Sequence, residues 1–154
     1  MNLQPELEPA LTLAGQGRVL RAFGDEITVL LSGDQTGGKY AMLLDVAPPG
    51  GGPPPHSHEN EDELFYVLEG RASFLANGEW TEVLPGTAAF LPKGLIHTFK
   101  NVGDTPLKLM VTVSPAGFEK FFGKCADEFA KPGAPDMASI IGLAAKHGIH
   151  FAQP

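Results

Sequence analysis

The stretch from residue 50 to residue 101 constrains this chain more than any other, because it sets three histidines and a glutamate at spacings that suit convergence on one point. His56 and His58 are two apart, so on an extended backbone their imidazoles leave the same face. Glu63 follows an acidic run, 59–63, that reads mostly as a solvated turn, and it opens a strand in which Phe65 and Val67 share its face. His97 arrives from a separate strand after a Pro92-Lys93-Gly94 turn, with Phe99 on its own side. Three imidazoles and a carboxylate suit Fe(II), Mn(II), Ni(II), Cu(II) or Zn(II) better than Ca or Mg. The sequence does not choose among them.

The first half of the stretch is spaced G-x5-H-x-H-x4-E-x6-G through Gly50, His56, His58, Glu63 and Gly70. The second is G-x5-P-x-G-x2-H-x3-N through Gly86, Pro92, Gly94, His97 and Asn101. Both resemble the two sequence motifs of the cupin superfamily at every defined position, and more loosely the chain resembles small single-domain, quercetin-dioxygenase-like bacterial cupins. The resemblance implies an all-β fold, a double-stranded β-helix or jelly-roll barrel, holding one divalent transition metal through His56, His58, Glu63 and His97. It also implies that Glu63, on leaving the metal, can act as general base toward a bound enol or hydroxyl. Activity is less constrained, because cupins include dioxygenases, decarboxylases, isomerases, epimerases, sensors and storage proteins. The leading expectation is a metal-dependent dioxygenase for a small hydroxylated or enolisable, aromatic substrate. The alternatives are a non-catalytic protein that binds metal or a small ligand, and a metal-dependent isomerase or decarboxylase.

At 154 residues and 43% hydrophobic content the chain fits one domain, residues 1–154, with a barrel core over about 18–114 and a C-terminal helical segment over about 115–148. A net charge of −7 without a basic cluster argues against nucleic acid and anionic membranes as partners, and favours a small organic molecule. A single cysteine, no signal-like N-terminus and no apolar run near about eighteen residues point to a reducing cytoplasm.

Short apolar runs separated by Gly and Pro predict about ten strands. They fall at 19–23 and 27–32, paired around a Gly24-Asp25 turn, then at 40–46, at the first ligand strand, and at 64–68, 72–76, 80–84, 88–91, 97–101 and 107–114. Residues 1–17 read as an irregular arm or short edge strand, and 33–38 as a loop. The run 48–55, PPGGGPPP, resembles a linker, but its place just before His56 favours a stiffened approach to the first ligand. Beyond Ser114 the period becomes helical: Phe118, Phe121, Phe122, Cys125 and Phe129 form a stripe, with Glu119 among the polar residues opposite. Ser114-Pro115 is the expected cap of that helix, and Asp136 the cap of a second one bearing Met137, Ile140, Ile141 and Ala144. Both helices are expected on the barrel exterior or beside its mouth.

Phe65 and Phe99 fall on the ligand face and are expected to line a substrate pocket; Tyr40 and Met42 share a parity and join them as candidates, although such residues are more often core. His147 and His150 read as capping or solvated groups, and Cys125 as a small apolar residue. Few Lys or Arg occupy interior candidate positions, which counts against phosphorylated substrates. The apolar arm and exposed strand edges suggest a homodimer.

Overall fold

Inward-facing apolar residues at every second position build two antiparallel sheets whose buried faces meet. The computed structural model describes residues 6–153; residues 1–5, at the start of the arm, and residue 154 lie outside them. The strands are β1 Arg18–Ala22, β2 Asp25–Leu31, β3 Ala41–Ala47, β4 His56–His58, β5 Asp62–Glu69, β6 Ala72–Ala76, β7 Glu79–Val83, β8 Ala88–Leu91, β9 His97–Asn101, β10 Leu107–Ser114 and β11 Ile149–Phe151. One sheet runs β1-β2-β3-β10-β5-β8, the other β11-β4-β9-β6-β7. This is a jelly roll with two C-terminal helices, α2 Phe118–Phe129 and α3 Met137–Lys146. Among the described residues no ladder joins one sheet to the other, so the expected barrel is an open sandwich. No helix of the described residues is long and apolar enough to cross a membrane.

Several elements depart from the sequence expectation for identifiable reasons. The β1–β2 turn is Phe23-Gly24, with φ of 54° and 81°, which is the backbone a two-residue hairpin needs. Asp25 therefore begins β2 and points inward. Phe23 is held in this left-handed conformation by its ring, whose centroid lies 4.9 Å from that of Phe129 in α2. Residues 33–38 are not all loop: Gly33–Thr36 form a single helical turn, α1, because Gln35 Oε1 accepts from the Ser32 backbone at 2.9 Å. Helix α2 is capped by Gly117 rather than Ser114, which ends β10 and donates its hydroxyl to the Lys39 carbonyl at 2.9 Å. Glu119, expected on the polar face, is buried because its carboxylate accepts from the backbone of Gly33 at 2.9 Å and of Gly117 at 2.8 Å. Asp136 caps α3 as expected, accepting from Ala138 and Ser139.

The proline–glycine run before His56 is pinned to β9. Gly50 donates to the Asn101 carbonyl at 3.0 Å, Asn101 donates back to Gly51 at 2.9 Å, and Thr98 Oγ1 donates to Pro53 at 2.6 Å. Gly52 sits at φ 143°, and a Cβ there would lie 2.0 Å from the Phe99 carbonyl oxygen. Gly50, at φ 77°, has nothing within 4 Å of the same position. Gly52→Ala should therefore cost about 3 kcal/mol or more, from overlap added to backbone strain. Gly50→Ala should cost about 1–2 kcal/mol from strain alone. Denaturant unfolding of both variants checks the ordering, and equal costs would contradict it.

Candidate metal centre

The centre lies between the two sheets. His56 and His97 are direct cross-strand partners on β4 and β9, which puts both rings on one face, with centroids 4.7 Å apart. His58 follows two residues after His56 and stacks on His97 at 5.6 Å. Glu63 comes from β5 of the opposite sheet, paired with Val113 of β10. All four residues are buried, and one ligand atom from each lies within 4.8 Å of the others.

What aims the rings is the hydrogen bond each makes on its other nitrogen. His56 Nδ1 donates to the Pro54 carbonyl at 2.8 Å and His97 Nδ1 to the Leu95 carbonyl at 2.9 Å. Because a carbonyl can only accept, these bonds place the proton on Nδ1 and leave Nε2 facing inward. His58 Nδ1 bonds Glu61 Oε2 at 3.2 Å, and its buried Nε2 has no hydrogen-bond partner. Glu63 Oε2 meets His97 Nε2 and lies 3.3 Å from His58 Nε2. Three Nε2 atoms and a carboxylate facing one point, one of them orphaned, fit a divalent transition metal.

Glu61 is the residue that sequence reasoning missed. It was expected in a solvated turn, yet it is 5% exposed and orients His58. The only available signal was its position three residues after His58. The neighbouring Glu59 is exposed and pairs with His150 at 2.5 Å, and Asp62 accepts from the Lys93 backbone at 2.9 Å. His147 Nδ1 bonds the Leu143 carbonyl at 3.0 Å. Burial pushes the Cys125 thiol up to about 12, with the charge of Glu128 adding to it.

An apolar cavity of about 40 Å³ adjoins the ligands and is lined in part by Phe65 and Phe99. Tyr40 and Met42 do not line it. Tyr40 is 41% exposed just before β3, and Met42 lies on the outer face of that strand. The inner face of β3 is Ala41, Leu43, Asp45 and Ala47, the opposite parity. The cavity is covered by Phe118, Phe121 and Phe122 of α2, Phe151 of β11 and Phe23 of the first hairpin. Helix α2 thus covers this end of the sandwich, and the Phe118 ring stands 4.9 Å from that of His58.

Electrostatics divide the histidines. Burial lowers His56 to about 4, so it is neutral at neutral pH. For His58 burial acts in the same direction, but its hydrogen bond to Glu61 and the nearby charges of Glu63 and Glu61 outweigh it and raise it to about 9. Burial pushes Glu63 up, and its close approach to His58 and its hydrogen bond to His97 overcome this and hold it well below the usual carboxylate range.

Since a ligating imidazole must give up its inward proton, metal loading at neutral pH should release one proton from His58, a release that falls away as pH rises through about 9. Calorimetry in two buffers of different ionisation enthalpy measures this; a release from His58 that does not fall with rising pH contradicts it. Glu61→Gln, which keeps the shape and loses the charge, should weaken metal affinity by roughly 10–100-fold in a chelator competition.

A cupin domain model matches residues 43–113, which contain all four ligands. The oxalate-binding protein of Thermotoga maritima is 33% identical over 89 residues, 57% of this chain and 74% of that protein. The quercetin 2,3-dioxygenase of Bacillus subtilis is 25% identical over 122 residues, 79% of this chain and 36% of that enzyme. Two further relatives are matched over 63% and 46% of their length, so the chain spans well under the whole of several proteins it resembles. The crystal structure of a Thermotoga maritima protein described as a predicted oxalate decarboxylase superposes with a TM-score of 0.64 at 24% identity, over 69% of this chain and 99% of that one, a likeness of fold. With both histidine-bearing motifs inside the matched region and the jelly roll that carries them in place, the chain belongs to the cupin superfamily.

Proposed function

We propose that this cupin is a metal-dependent dioxygenase for a small hydroxylated or enolisable compound. The observation that carries the reading is the convergence of His56, His58, Glu63 and His97 beside a small phenylalanine-lined cavity. Bound there, Fe, Mn, Ni or Cu would supply Lewis acidity toward a substrate oxygen and an electron path to dioxygen, whereas Zn would supply the first alone. The residues of the chain contribute the rest. His56 and His97, anchored through backbone carbonyls, hold their rings still, and Glu61 holds His58. Glu63 is placed to take the hydroxyl proton of a substrate that displaces it from the imidazoles. Phe65 and Phe99 offer ring faces to an aromatic substrate, and the α2 phenylalanines shut out solvent. The likeness to a quercetin 2,3-dioxygenase supports this chemistry.

Cavity size bears on which substrate is taken. At about 40 Å³ there is room for roughly three or four water-sized molecules of about 10–15 Å³ each, and none for an aromatic ring. A ring substrate must therefore displace the cover made by α2 and β11. The same closure favours a second reading, a protein that binds a ligand of few atoms, and the oxalate-binding relative is in keeping with it. Leu11 and Leu13 stay exposed on the arm, which supports the homodimer; light scattering that returns a monomer at micromolar concentration removes it.

Elemental analysis of protein purified without chelator, beside a His56→Ala/His97→Ala variant, should find a redox-active metal near one per chain and none in the variant. Oxygen uptake with a flavonol or catechol should follow. Glu63→Gln with its metal retained should lose roughly 10²-fold in uptake. Zinc alone with no uptake moves the conclusion to the binding reading, and full turnover in Glu63→Gln removes the base role.

A further inference from the structure

Asp45 is the one acidic residue other than Glu63 that lines the cavity. It is 7% exposed, it occupies the inner face of β3 between Leu43 and Ala47, and one of its oxygens is buried without a donor. Its neighbour is Asp25, 4% exposed, at the start of β2. Ile27 of β2 pairs directly with Asp45, so Asp25, two residues earlier on the same face, sits diagonally across the strand pair. Both carboxyls are thus buried on the same inner face of neighbouring strands. Asp25 also keeps one buried oxygen without a donor, and a Cβ on Gly51 would come within 3.2 Å of it. A proton shared between neighbouring carboxyls is one way to satisfy such orphaned oxygens, because two buried like charges side by side disfavour full ionisation.

The surroundings keep that proton in place. Burial raises Asp45 well above the usual range, and the charge of Asp25, then that of Glu63, add to it. Burial raises Asp25 to about 6, against a smaller lowering from Asp45 beside it. The cavity that Asp45 lines has no lysine or arginine: β10 presents Leu109 and Val111 beside it, β9 presents His97 and Phe99, β4 presents His56, β5 presents Glu63, and the run 48–53 has no ionisable group. The pair also spans a wall. Asp45 faces the closed cavity, whereas Asp25 lines a separate open groove whose charged groups are Arg18, Arg21, Glu26 and Asp127.

We propose that Asp45 is the proton donor of the cavity and that Asp25 resupplies it from the outer groove. The inference deepens the dioxygenase reading and rests on the cavity being the substrate site. In the step, the Asp45 O–H bond breaks as its proton passes to a ligand oxygen that gains charge, leaving the Asp45 carboxylate. Asp25 takes a proton from water in the groove and passes it to Asp45; no electrons are exchanged and the pair returns to its first state. The ligand class implied is an oxygen-bearing compound whose product or bound form is more basic than the starting hydroxyl or enol. Glu63 takes the substrate proton on the ligand side, and Asp45 returns one inside the same closed space.

Infrared spectroscopy of the native protein tests the pair without metal or substrate. A protonated-carboxyl band is expected at neutral pH, lost in Asp45→Asn, and its exchange after mixing into heavy water is expected to slow at least about tenfold in Asp25→Leu. Absence of the band, its persistence in Asp45→Asn, or an unchanged exchange rate in Asp25→Leu overturns the proposal. Should Asp25→Leu fail to fold, Asp25→Asn, which keeps the shape, takes its place. With oxygen uptake as the readout, Asp45→Asn carrying full metal should lose roughly 10²-fold in kcat, and the native rate should fall as pH rises through the titration of Asp45. Native-like kcat in Asp45→Asn overturns the role as donor. Uptake missing from the native protein itself counts against the dioxygenase reading, while the infrared result still decides the carboxyl pair.

Discussion

Three imidazoles can present bare nitrogens to one point only if something else holds their opposite edges, and in this protein the holders are two backbone carbonyls and one buried carboxylate. Pro54 and Leu95 each precede by two residues the histidine they hold, so the bonds are local and form as the chain bends into β4 and β9. The bend before His56 depends in turn on the glycine and proline run lying flat against β9. Register does the remaining work: His56 opposite His97 is one rung of the β4–β9 ladder, and a slip by one residue would turn a ring away from the centre.

The fold and the ligands were legible because both are written in short-range patterns. Strands from β5 to β10 carry turn residues at their ends and apolar alternation within, and the four ligands sit at motif spacings that survive any reasonable error in strand boundaries. Parity failed in β3, where AMLLDVA is apolar on both faces and its single charge is on the buried one. Alternation alone does not choose a face there, and the expectation that Tyr40 and Met42 line the pocket sits on the parity opposite to the buried one. Asp45 is buried beside Asp25 of the preceding hairpin, a proximity that becomes visible only once β2 and β3 are in register.

Glu61 and Glu119 were misjudged for the same physical reason. A carboxylate is read as solvated unless a partner is known, and their partners are an imidazole three residues away and two backbone amides, one of them 86 positions distant. No periodicity encodes such bonds. The short β11 was hidden because three residues beyond a helix carry too little pattern to register as a strand, although its pairing with β4 covers the outer edge of the ligand strand.

That pairing ties the earliest ligands to a late part of the chain. His56 and His58 lie on a strand whose hydrogen-bonding partner, apart from the single rung to His97, is Ile149–Phe151. During synthesis all four ligands therefore leave the ribosome well before the strand that braces two of them and the phenylalanine that roofs them. An ion captured earlier would meet a half-built, solvent-open site with weak preference among metals, so any selectivity of the site would be acquired only at the end of folding.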